Sequence, residues 1–303
     1  MKFVVTGGAG FIGSNLVNQL ISDGNDVHVI DNFFSGKKEN CNPDAKYYNI
    51  DLSDISHFNK IVKILENADT VFHLACIARV QPSIENPIKY EMNNTIGLVN
   101  ILKASVDSKI RRFIYSSSSS VYGDNSILPQ KECFETNPMS PYGAQKLYGE
   151  ILCKTFSQIY SIETISLRYF NVYGENQNID GAYALVIGIF LSQRKSNKPL
   201  TIRGDGNQRR DFTYVGDVVK ANILASQTEI KISGEIINIG NGDNRSINEI
   251  ASYVGGDLKY VDPVQEPFET LADNKKAKEL LNWEPTQDVK SWIKQYLEEV
   301  INE

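Results

Sequence analysis

The fold of this chain is decided by the stretch Thr6-Gly7-Gly8-Ala9-Gly10-Phe11-Ile12-Gly13, which directly follows the apolar residues Phe3-Val4-Val5. Apolar side chains then recur at helical spacing, so this order predicts a strand, a glycine turn and a helix. In such a unit Gly7 permits the tight turn, Gly10 lets the backbone approach a pyrophosphate, and Gly13 allows close packing of helix on strand. The free N–H groups at the start of the helix would then bind the phosphates.

A second strand supports the assignment of this turn to a dinucleotide. Residues 26–30 form an apolar strand pattern that ends in Asp31, eighteen residues after Gly13. A carboxylate at that point accepts hydrogen bonds from the adenosine ribose hydroxyls and repels a 2′-phosphate. The sequence therefore predicts NAD as the cofactor, in preference to NADP.

Strands and helices continue to alternate through the first half of the chain. Strand patterns occur at residues 47–50, 70–75 and 112–115, with helical periodicity between the later ones. This alternation predicts an α/β fold with a Rossmann-type doubly wound parallel sheet, in which ligands bind beyond the carboxyl ends of the strands. The serine run 116–120 lies at one such end, so we expect its hydroxyls to face the ligand. Asp51 has two equal interpretations, a contact to the adenine pocket or a helix N-cap.

Composition restricts the classes of function. The chain has 303 residues, a formal net charge of −6 and no basic tract, so it has no electrostatic footprint for nucleic acid. No apolar run reaches the roughly 18–20 residues that cross a bilayer, and a strand pattern begins too early for a signal peptide. The four cysteines lie far apart, which favours reduced thiols over a metal or disulfide site. We therefore predict a cytoplasmic protein with no metal ion, nucleic-acid partner or membrane anchor.

Tyr142 and Lys146 are four residues apart and would share one face of a helix. A free tyrosine has a pKa of about 10, which is too high for a useful base near neutral pH. A neighbouring ammonium favours the phenolate and lowers that pKa. The pair alone decides little, because the same spacing occurs on ordinary helix surfaces, and it gains weight from the dinucleotide motif.

Together these motifs resemble the extended short-chain dehydrogenase/reductase family, and in particular its NAD-dependent nucleotide-sugar 4-epimerases. The resemblance covers nearly the whole chain. It rests on the glycine turn, Asp31-Asn32, the segment from Ser116 to Gly123, and Tyr142 with Lys146. The further matching segments are His73-Leu74-Ala75, Leu167-Arg168-Tyr169-Phe170-Asn171-Val172-Tyr173-Gly174 and Gly204-Asp205-Gly206-Asn207-Gln208-Arg209-Arg210-Asp211-Phe212.

The resemblance assigns the catalytic residues Ser118, Tyr142 and Lys146. The family places its catalytic hydroxyl four residues before the tyrosine of Val121-Tyr122-Gly123, which makes it Ser118 here. Relatives that dehydrate or decarboxylate the sugar usually carry a glutamate two residues before that tyrosine, where this chain has Ser120. Elimination needs such an acid–base group, so the chain looks like an epimerase.

The implied mechanism uses these residues together. Tyr142 would take the proton of the sugar 4-hydroxyl while NAD accepts the C4 hydride, and Ser118 would hold the 4-oxygen. Lys146 would lower the pKa of Tyr142 and bind the nicotinamide ribose. The 4-keto sugar would then turn in the site and receive the hydride on its other face.

The family pattern also gives the expected ligand contacts. For NAD they are Gly7, Gly10, Phe11, Ile12, Gly13, Asp31, Asn32, Asp51, Leu52, Leu74, Ala75, Asn94, Ser116, Tyr142, Lys146 and Tyr169. For the substrate they are Ser118, Ser119, Ser120, Asn171, Ala184, Leu185, Ile202, Arg203, Arg210 and Thr270. Arg210 is assigned to the diphosphate because a guanidinium binds phosphate bidentately; an ion pair with Asp211 or Asp217 is the alternative.

Two positions depart from the family pattern. A second phosphate-binding arginine is expected before Leu271-Ala272-Asp273, but Pro263-Val264 stands at that point. The residue before Gly204 is commonly an aromatic that packs by the nucleobase, and here it is Arg203, whose guanidinium plane can also stack on a base. Arg79 is a candidate replacement cation, and an ordinary surface arginine is the alternative.

Thr270 gives an indication of the sugar. A bulky aromatic just before the Leu-Ala-Asp position narrows the pocket of related epimerases to unsubstituted hexoses, whereas Thr270 leaves room for a 2-N-acetyl group. The segment 181–187 also resembles epimerases of N-acetylated sugars. We expect a UDP-hexose or UDP-N-acetylhexosamine, with UDP-GlcNAc/UDP-GalNAc favoured over UDP-Glc/UDP-Gal. The alternatives are a UDP-glucuronate 4-epimerase, a keto-sugar 4-reductase and a non-catalytic NAD-binding regulator.

The strict alternation weakens in the second half, where Gly, Pro and Asn become more frequent. We therefore expect residues 1–172 to form the NAD-binding domain and residues 173–303 a smaller C-terminal α/β domain for the nucleotide sugar, with 211–226 returning to the first. The family usually forms homodimers through two helices, which here contain 94–103 and 142–159. Their apolar residues also fit burial against the sheet.

Overall fold

The computed structural model describes residues 1–179, 184–230, 233–264 and 266–300. Its strands are β1 (Lys2–Thr6), β2 (Asp26–Asp31), β3 (Lys46–Asn49), β4 (Thr70–His73), β5 (Arg112–Ser118), β6 (Glu163–Tyr169), β7 (Val172–Tyr173), β8 (Leu200–Arg203), β9 (Arg209–Asp211), β10 (Thr213–Tyr214), β11 (Glu235–Ile239), β12 (Asn244–Ser246) and β13 (Leu258–Val261). Its α-helices are α1 (Phe11–Ser22), α2 (Phe58–Leu65), α3 (Val80–Glu85), α4 (Pro87–Glu91), α5 (Gly97–Asp107), α6 (Pro141–Tyr160), α7 (Val186–Lys195), α8 (Val215–Gln227), α9 (Ile247–Val254), α10 (Lys275–Leu281) and α11 (Val289–Val300). None of the helices in these ranges is long and apolar enough to cross a membrane.

Within the described ranges, seven parallel strands form the central sheet in the order β11-β6-β5-β4-β1-β2-β3. The chain begins in the middle, where β1 pairs with β2 on one side and with β4 on the other. The direction of winding therefore reverses between β1 and β4, and the carboxyl ends of these strands form a crevice for ligands. This topology confirms the predicted doubly wound α/β fold.

Helices cover both faces of the sheet. On one face α1 and α8 contribute Leu16 and Val218 to a core with the strands. On the other face α2, α5 and α6 contribute Ile61, Ile101 and Cys153 to a second core. Because both faces are buried, the inner strands are continuous apolar runs and do not alternate with polar residues.

The sheet domain gathers more of the second half than residues 211–226. Helix α8 packs on α1 and the sheet. Strand β11 then pairs with β6, and α10 and Trp283 pack in the same core. Segments from the last third of the chain therefore contribute to the core of the central sheet. The sequence of β11 marks a strand but carries no signal of which sheet it joins.

The remaining elements form a smaller unit beside the crevice. Strands β8 and β13 pair in parallel, and β9 and β12 pair antiparallel. Helices α7, α9 and α11 enclose a separate core that contains Phe190, Ile250 and Trp292. This unit therefore has a hydrophobic core of its own beside the central sheet.

Candidate active site

A cavity of about 880 Å³ opens at the carboxyl ends of the central strands. One part, here called the cofactor arm, is lined by Gly7, Gly10 to Gly13, Asp31, Asp51 and Ser116. The other part, here called the substrate arm, is lined by Asn171, Arg203, Arg210 and Thr270. The cavity therefore joins the sheet domain to the smaller domain.

The glycine turn of the cofactor arm has the geometry of a phosphate cradle. Gly7 has a φ of 72°, and a Cβ there would lie 2.6 Å from the Ala75 nitrogen. A Cβ on Gly13 would strike the Gly7 carbonyl. Helix α1 begins directly after this turn, with no side chain capping its first N–H groups. These residues fit the pyrophosphate of a dinucleotide, which would accept those N–H groups.

The carboxylate of Asp31 is nearly buried at the end of β2. Its Oδ2 accepts the Ala9 N–H at 2.9 Å, and its Oδ1 accepts the Phe33 N–H at 2.8 Å. These bonds fix the carboxylate and leave further lone pairs for ribose hydroxyls. The arrangement fits the ribose end of NAD.

Asp51 lies next to Asn32, which donates to its Oδ2 at 3.3 Å. The Oδ1 of Asp51 accepts the Ser53 N–H at 2.8 Å. The cap of the helical turn that follows is Asp54, whose side chain accepts from Ser56. The N-cap interpretation of Asp51 is therefore wrong, and its side chain and that of Leu52 line the cofactor arm.

Ser116, Lys146 and Tyr169 lie at the other end of the cofactor arm. The buried Lys146 Nζ donates to the Ser116 carbonyl at 2.6 Å. The Tyr169 hydroxyl donates to Asn222 Oδ1 at 3.0 Å and lies 3.1 Å from the Ser116 Oγ. The lysine is thus held in one position at the end of β5.

The predicted catalytic residues converge at this point. Tyr142 is in the first turn of α6, which begins at Pro141 and is capped by Ser140, whose Oγ accepts the Gly143 N–H at 3.1 Å. The Ser118 side chain, at the end of β5, lies beside the Tyr142 phenol. Lys146 follows one turn later, with its Nζ 5.7 Å from the centroid of the Tyr142 ring.

The protonation of Tyr142 differs from the prediction. Burial raises the pKa of Tyr142 above its usual value, and Cys76 adds to the rise. The hydrogen bond from Ser118 and the charge of Arg79 lower the pKa without reversing the shift. The expected lowering by Lys146 is therefore not met. Sequence spacing brings the two side chains together, but burial decides the sign of the shift.

Arg79 is not the ordinary surface arginine that the sequence allowed. Its half-buried side chain lines the cavity and donates to the carbonyl of Ala184. Burial lowers the pKa of this guanidinium. Its backbone has a φ of 104°, which is rare outside glycine. Arg79 therefore joins the loop after β4 to the substrate arm, next to the catalytic phenol.

A buried ion pair fixes helix α6. Arg168 donates to Glu150 through its Nε at 2.8 Å and its Nη2 at 2.7 Å, and both side chains are at most 2% exposed. Ser117 also donates to Glu150. This bidentate pair sets the helix against β5 and β6. All five residues of the serine run line the cavity, but the Ser117 hydroxyl bonds to the helix.

In the substrate arm, Asn171, Thr270 and Asp211 hold one another. The Asn171 Nδ2 donates to the Asp211 carbonyl at 3.1 Å and to the Thr270 Oγ1 at 3.3 Å. The Thr270 Oγ1 also accepts the Asp211 N–H at 3.2 Å. The Asp211 carboxylate accepts three backbone N–H groups of neighbouring turns, and burial raises its pKa to about 7.

Arg210 forms an ion pair, but not with the partners that the sequence suggested. Its Nη2 lies 2.8 Å from Glu266 Oε2, and its Nη1 donates to the carbonyls of Arg209 and Phe268. Asp217, the suggested alternative partner, accepts from residue 286 instead. A diphosphate at Arg210 would therefore share the guanidinium with Glu266.

Two predicted contacts do not face the cavity. Ile202 is buried in the core of the smaller domain, while Thr201 and Arg203 on either side of it line the cavity. Successive strand residues point to opposite faces, so the prediction was one residue out of register. Asn94 accepts the Ile77 N–H at 2.8 Å and donates to Gln145 at 2.9 Å. Its amide therefore braces the loop after β4 against α6.

Ala184 and Leu185 line the cavity, whereas residues 181–183 of the predicted sugar segment lie outside the described residues. Several further cavity residues were not predicted, among them Cys76, Gln177 and Glu266. Burial raises the pKa of the Cys76 thiol, and the charge of nearby Lys146 opposes that rise. The amide of Gln177 is buried without a hydrogen-bond partner in the described ranges. The pairing of Glu266 with Arg210 has no signal in the sequence.

Comparison with known proteins agrees with this geometry. The chain matches the profile of the NAD dependent epimerase/dehydratase family over residues 3–240. It is 41% identical over 299 residues to a Methanocaldococcus jannaschii protein provisionally named UDP-glucose 4-epimerase, covering 96% of this chain and 95% of that one. A Methanobrevibacter ruminantium UDP-N-acetylglucosamine 4-epimerase, solved with UDP-N-acetylmuramic acid, is 36% identical with a TM-score of 0.91, over 99% and 98% of the two chains. A Bacillus cereus UDP-glucuronic acid 4-epimerase, solved with UDP-glucuronic acid and NAD, is 34% identical with a TM-score of 0.90, over 99% and 100%.

These matches extend over most of the chain and nearly the full length of each relative. The glycine cradle and the Asp31 carboxylate fit the cofactor in the name of the family, so NAD is the cofactor of this protein. The chain belongs to the NAD dependent epimerase/dehydratase family.

Proposed function

We propose that this protein is an enzyme that catalyses NAD-dependent epimerisation of a UDP-hexose at C4 through a transient 4-keto sugar. The observation that carries the proposal is the convergence of Ser118, Tyr142 and Lys146 at the end of β5. The three similar proteins bear the names of 4-epimerases with different sugars. This supports reaction at C4 more strongly than it supports one particular sugar.

Each residue has one task in this reaction. Ser118 holds the sugar 4-oxygen. Tyr142, once deprotonated against the effect of burial on its pKa, accepts the proton of the 4-hydroxyl and returns it when the product forms. Lys146, fixed by the Ser116 carbonyl, binds the nicotinamide ribose. NAD, when bound, would supply the hydride acceptor and donor at C4, so the reaction would bring no net oxidation. Ser120 stands where dehydratases carry glutamate, which leaves elimination without its acid–base group.

Tyr142→Phe tests the proposal, because it removes the proton acceptor and keeps the ring. We expect epimerase activity to fall by at least about 100-fold, the usual contribution of a general base, while NAD stays bound. The assay incubates the purified protein with UDP-hexoses and separates the epimers by chromatography. Full activity in Tyr142→Phe would overturn the mechanism.

The same assay separates the other readings of the site. A keto-sugar 4-reductase consumes NADH stoichiometrically, whereas an epimerase leaves the nicotinamide absorbance unchanged. A non-catalytic regulator retains NAD but converts none of the sugars. The intact set of Ser118, Tyr142 and Lys146 favours an enzyme, since a regulator has no use for a proton relay.

For the sugar, we propose UDP-GlcNAc/UDP-GalNAc ahead of UDP-Glc/UDP-Gal. The small Thr270 side chain lines the substrate arm, which supports room for a 2-N-acetyl group. UDP-glucuronate is the second candidate, since the cation of Arg79 in the cavity favours a carboxylate beside C4. The ratio of kcat/KM values for these three pairs ranks them, and a clear preference for UDP-Glc would contradict the first choice.

We also propose that the protein is a homodimer. Exposed apolar side chains follow one face of α6 at Tyr148 and Ile151, and Met92 and Ile96 are exposed just before the neighbouring α5. Contiguous apolar surface of this kind marks an interaction site, and the occupant that the family resemblance favours is a second copy of the chain. Ile151→Lys should shift the protein from dimer to monomer in sedimentation velocity. A wild-type monomer at the same concentration would refute the proposal.

A further inference from the structure

Two side chains away from the catalytic residues are in contact at the edge of the cofactor arm. The Lys89 ammonium, on α4, lies 4.1 Å from the centroid of the Phe34 ring. Phe34 comes from the loop that follows Asp31 and lines the cavity. Lys89 comes from the segment that leaves β4, at the other side of the switch in strand order. Phe34 and Lys89, one from each segment, are therefore in contact at the edge of the cofactor arm.

We propose that Phe34 and Lys89 form a clasp that retains NAD in the cofactor arm during catalysis. A cation over an aromatic face is attracted by the ring quadrupole, and the contact needs no second charge. Lys89 is exposed, and its ammonium approaches the face of the Phe34 ring. Phe34 keeps 44% of its surface exposed, so part of its ring faces solvent beside the cavity.

The segment that carries Lys89 is anchored at its base. The Ser83 Oγ accepts the Tyr142 N–H at 3.2 Å, and the Tyr90 hydroxyl donates to the Ala78 carbonyl at 2.9 Å. These bonds hold α3 and α4 against the catalytic helix. The exposed Lys89 side chain can therefore leave the Phe34 ring while the catalytic residues keep their positions.

The chemistry gives the clasp a purpose. In the proposed epimerisation the hydride must return to the sugar from which it came, so a reduced cofactor that escapes leaves an enzyme unable to begin the next cycle. Slow release of the cofactor protects against that loss. The clasp itself concerns NAD binding alone, and it stands whichever sugar is the substrate.

The test measures exchange of bound NAD. Protein loaded with isotopically labelled NAD is diluted into excess unlabelled NAD, and the label that remains bound is followed with time. Lys89→Ala should release NAD about three- to fivefold faster, as expected for an exposed cation–π contact. Lys89→Arg should restore slow release, because a guanidinium also binds an aromatic face.

A double variant separates the clasp from other effects. Phe34→Ala removes the same contact, so adding Lys89→Ala to it should give no further acceleration. Lys60→Ala, which removes another exposed helix lysine, on α2, should leave the exchange rate unchanged. The clasp is refuted if Lys89→Ala exchanges NAD at the wild-type rate, or accelerates exchange equally with and without Phe34. Because the readout is bound NAD, it stays informative even if no UDP-hexose is converted.

Discussion

The cofactor arm and the substrate arm are built in different ways. The cofactor arm depends on the backbone of one strand–turn–helix unit, where Gly7 and Gly13 leave no room for a side chain. The substrate arm depends on side chains from distant segments that hold one another, such as Arg210 with Glu266. Adding one Cβ to the glycine turn should therefore abolish most of the NAD binding. Removing one side chain from the substrate arm should weaken substrate binding only in part. Four predictions test this difference.

The largest effect is expected in the glycine cradle. Gly13→Ala places a Cβ on the Gly7 carbonyl, so we expect NAD to bind at least about 100-fold more weakly, or about 2.7 kcal/mol. Calorimetric titration with NAD measures it. Gly24→Ala, at the other end of α1, is the control, because a Cβ there meets nothing within 4 Å. It should lose about 1 kcal/mol of stability from its positive φ and keep NAD; equal NAD loss in both variants would contradict the local-fit argument.

The next effect is expected at the diphosphate. Arg210→Gln removes a nearly buried cation, so the KM for the UDP-sugar should rise about 30-fold, the size of a lost charged hydrogen bond of about 2 kcal/mol. The affinity for NAD should not change. Arg209→Gln is the matched control, because its neighbouring guanidinium pairs with Glu249. An unchanged KM in Arg210→Gln would remove Arg210 from the substrate contacts.

The same contrast explains what the sequence could predict. Gly7, Asp31 and the strand–turn–helix order belong to one local unit, so their presence in the cavity follows from spacing alone. Tyr142 and Lys146 share a helix face for the same reason. The direction of the pKa shift of Tyr142 could not be predicted from spacing, because it depends on burial by segments far away in the sequence.

Predictions that needed tertiary contacts were less successful. Asn94 has the residue type of a cofactor ligand, yet its amide is used by Ile77 and Gln145. Ile202 was expected in the cavity, but its side chain is in the core and its neighbours Thr201 and Arg203 line the cavity. Glu266 was overlooked as the partner of Arg210, since the loop that brings them together leaves no pattern in the sequence. The substrate arm is therefore the part that only the structure could assemble.

A smaller effect should appear as a pH dependence of stability. Burial raises the pKa of Asp211 from 3.8 to about 7. The folded protein thus keeps this proton where the unfolded chain has lost it, so stability should fall as the pH rises from about 4 to about 7. Asp211→Asn should lack that fall.

Denaturant unfolding of both proteins across this pH range measures the difference. We expect the stability of wild type relative to Asp211→Asn to fall by at least about 1.4 kcal/mol, the free energy that corresponds to one unit of the pKa shift. The opposite sign, with wild type gaining stability as the pH rises, would mean that the three N–H bonds to the carboxylate outweigh its burial. NAD affinity should stay level, because Asp211 lies in the substrate arm.

The smallest effect is expected from Thr270→Val, which keeps the shape of the side chain and removes its hydroxyl. Asn171 Nδ2 and the Asp211 N–H would each lose an acceptor, at a net cost of about 1 kcal/mol. The KM should rise about fivefold for UDP-Glc and UDP-GlcNAc alike, as steady-state kinetics with both sugars would measure. Thr164→Val, which loses a buried hydroxyl that donates to the Cys153 carbonyl away from the cavity, is the control and should leave the KM unchanged.

Two outcomes would change this picture of the substrate arm. A shift in the ratio of the two sugars without a common rise in KM would mean that Thr270 contacts the N-acetyl group and does not act by holding Asn171. An effect as large as that of Gly13→Ala would mean that the substrate arm also depends on a single local fit. Only a small rise in KM that is equal for both sugars is consistent with a substrate arm in which several side chains together position the ligand.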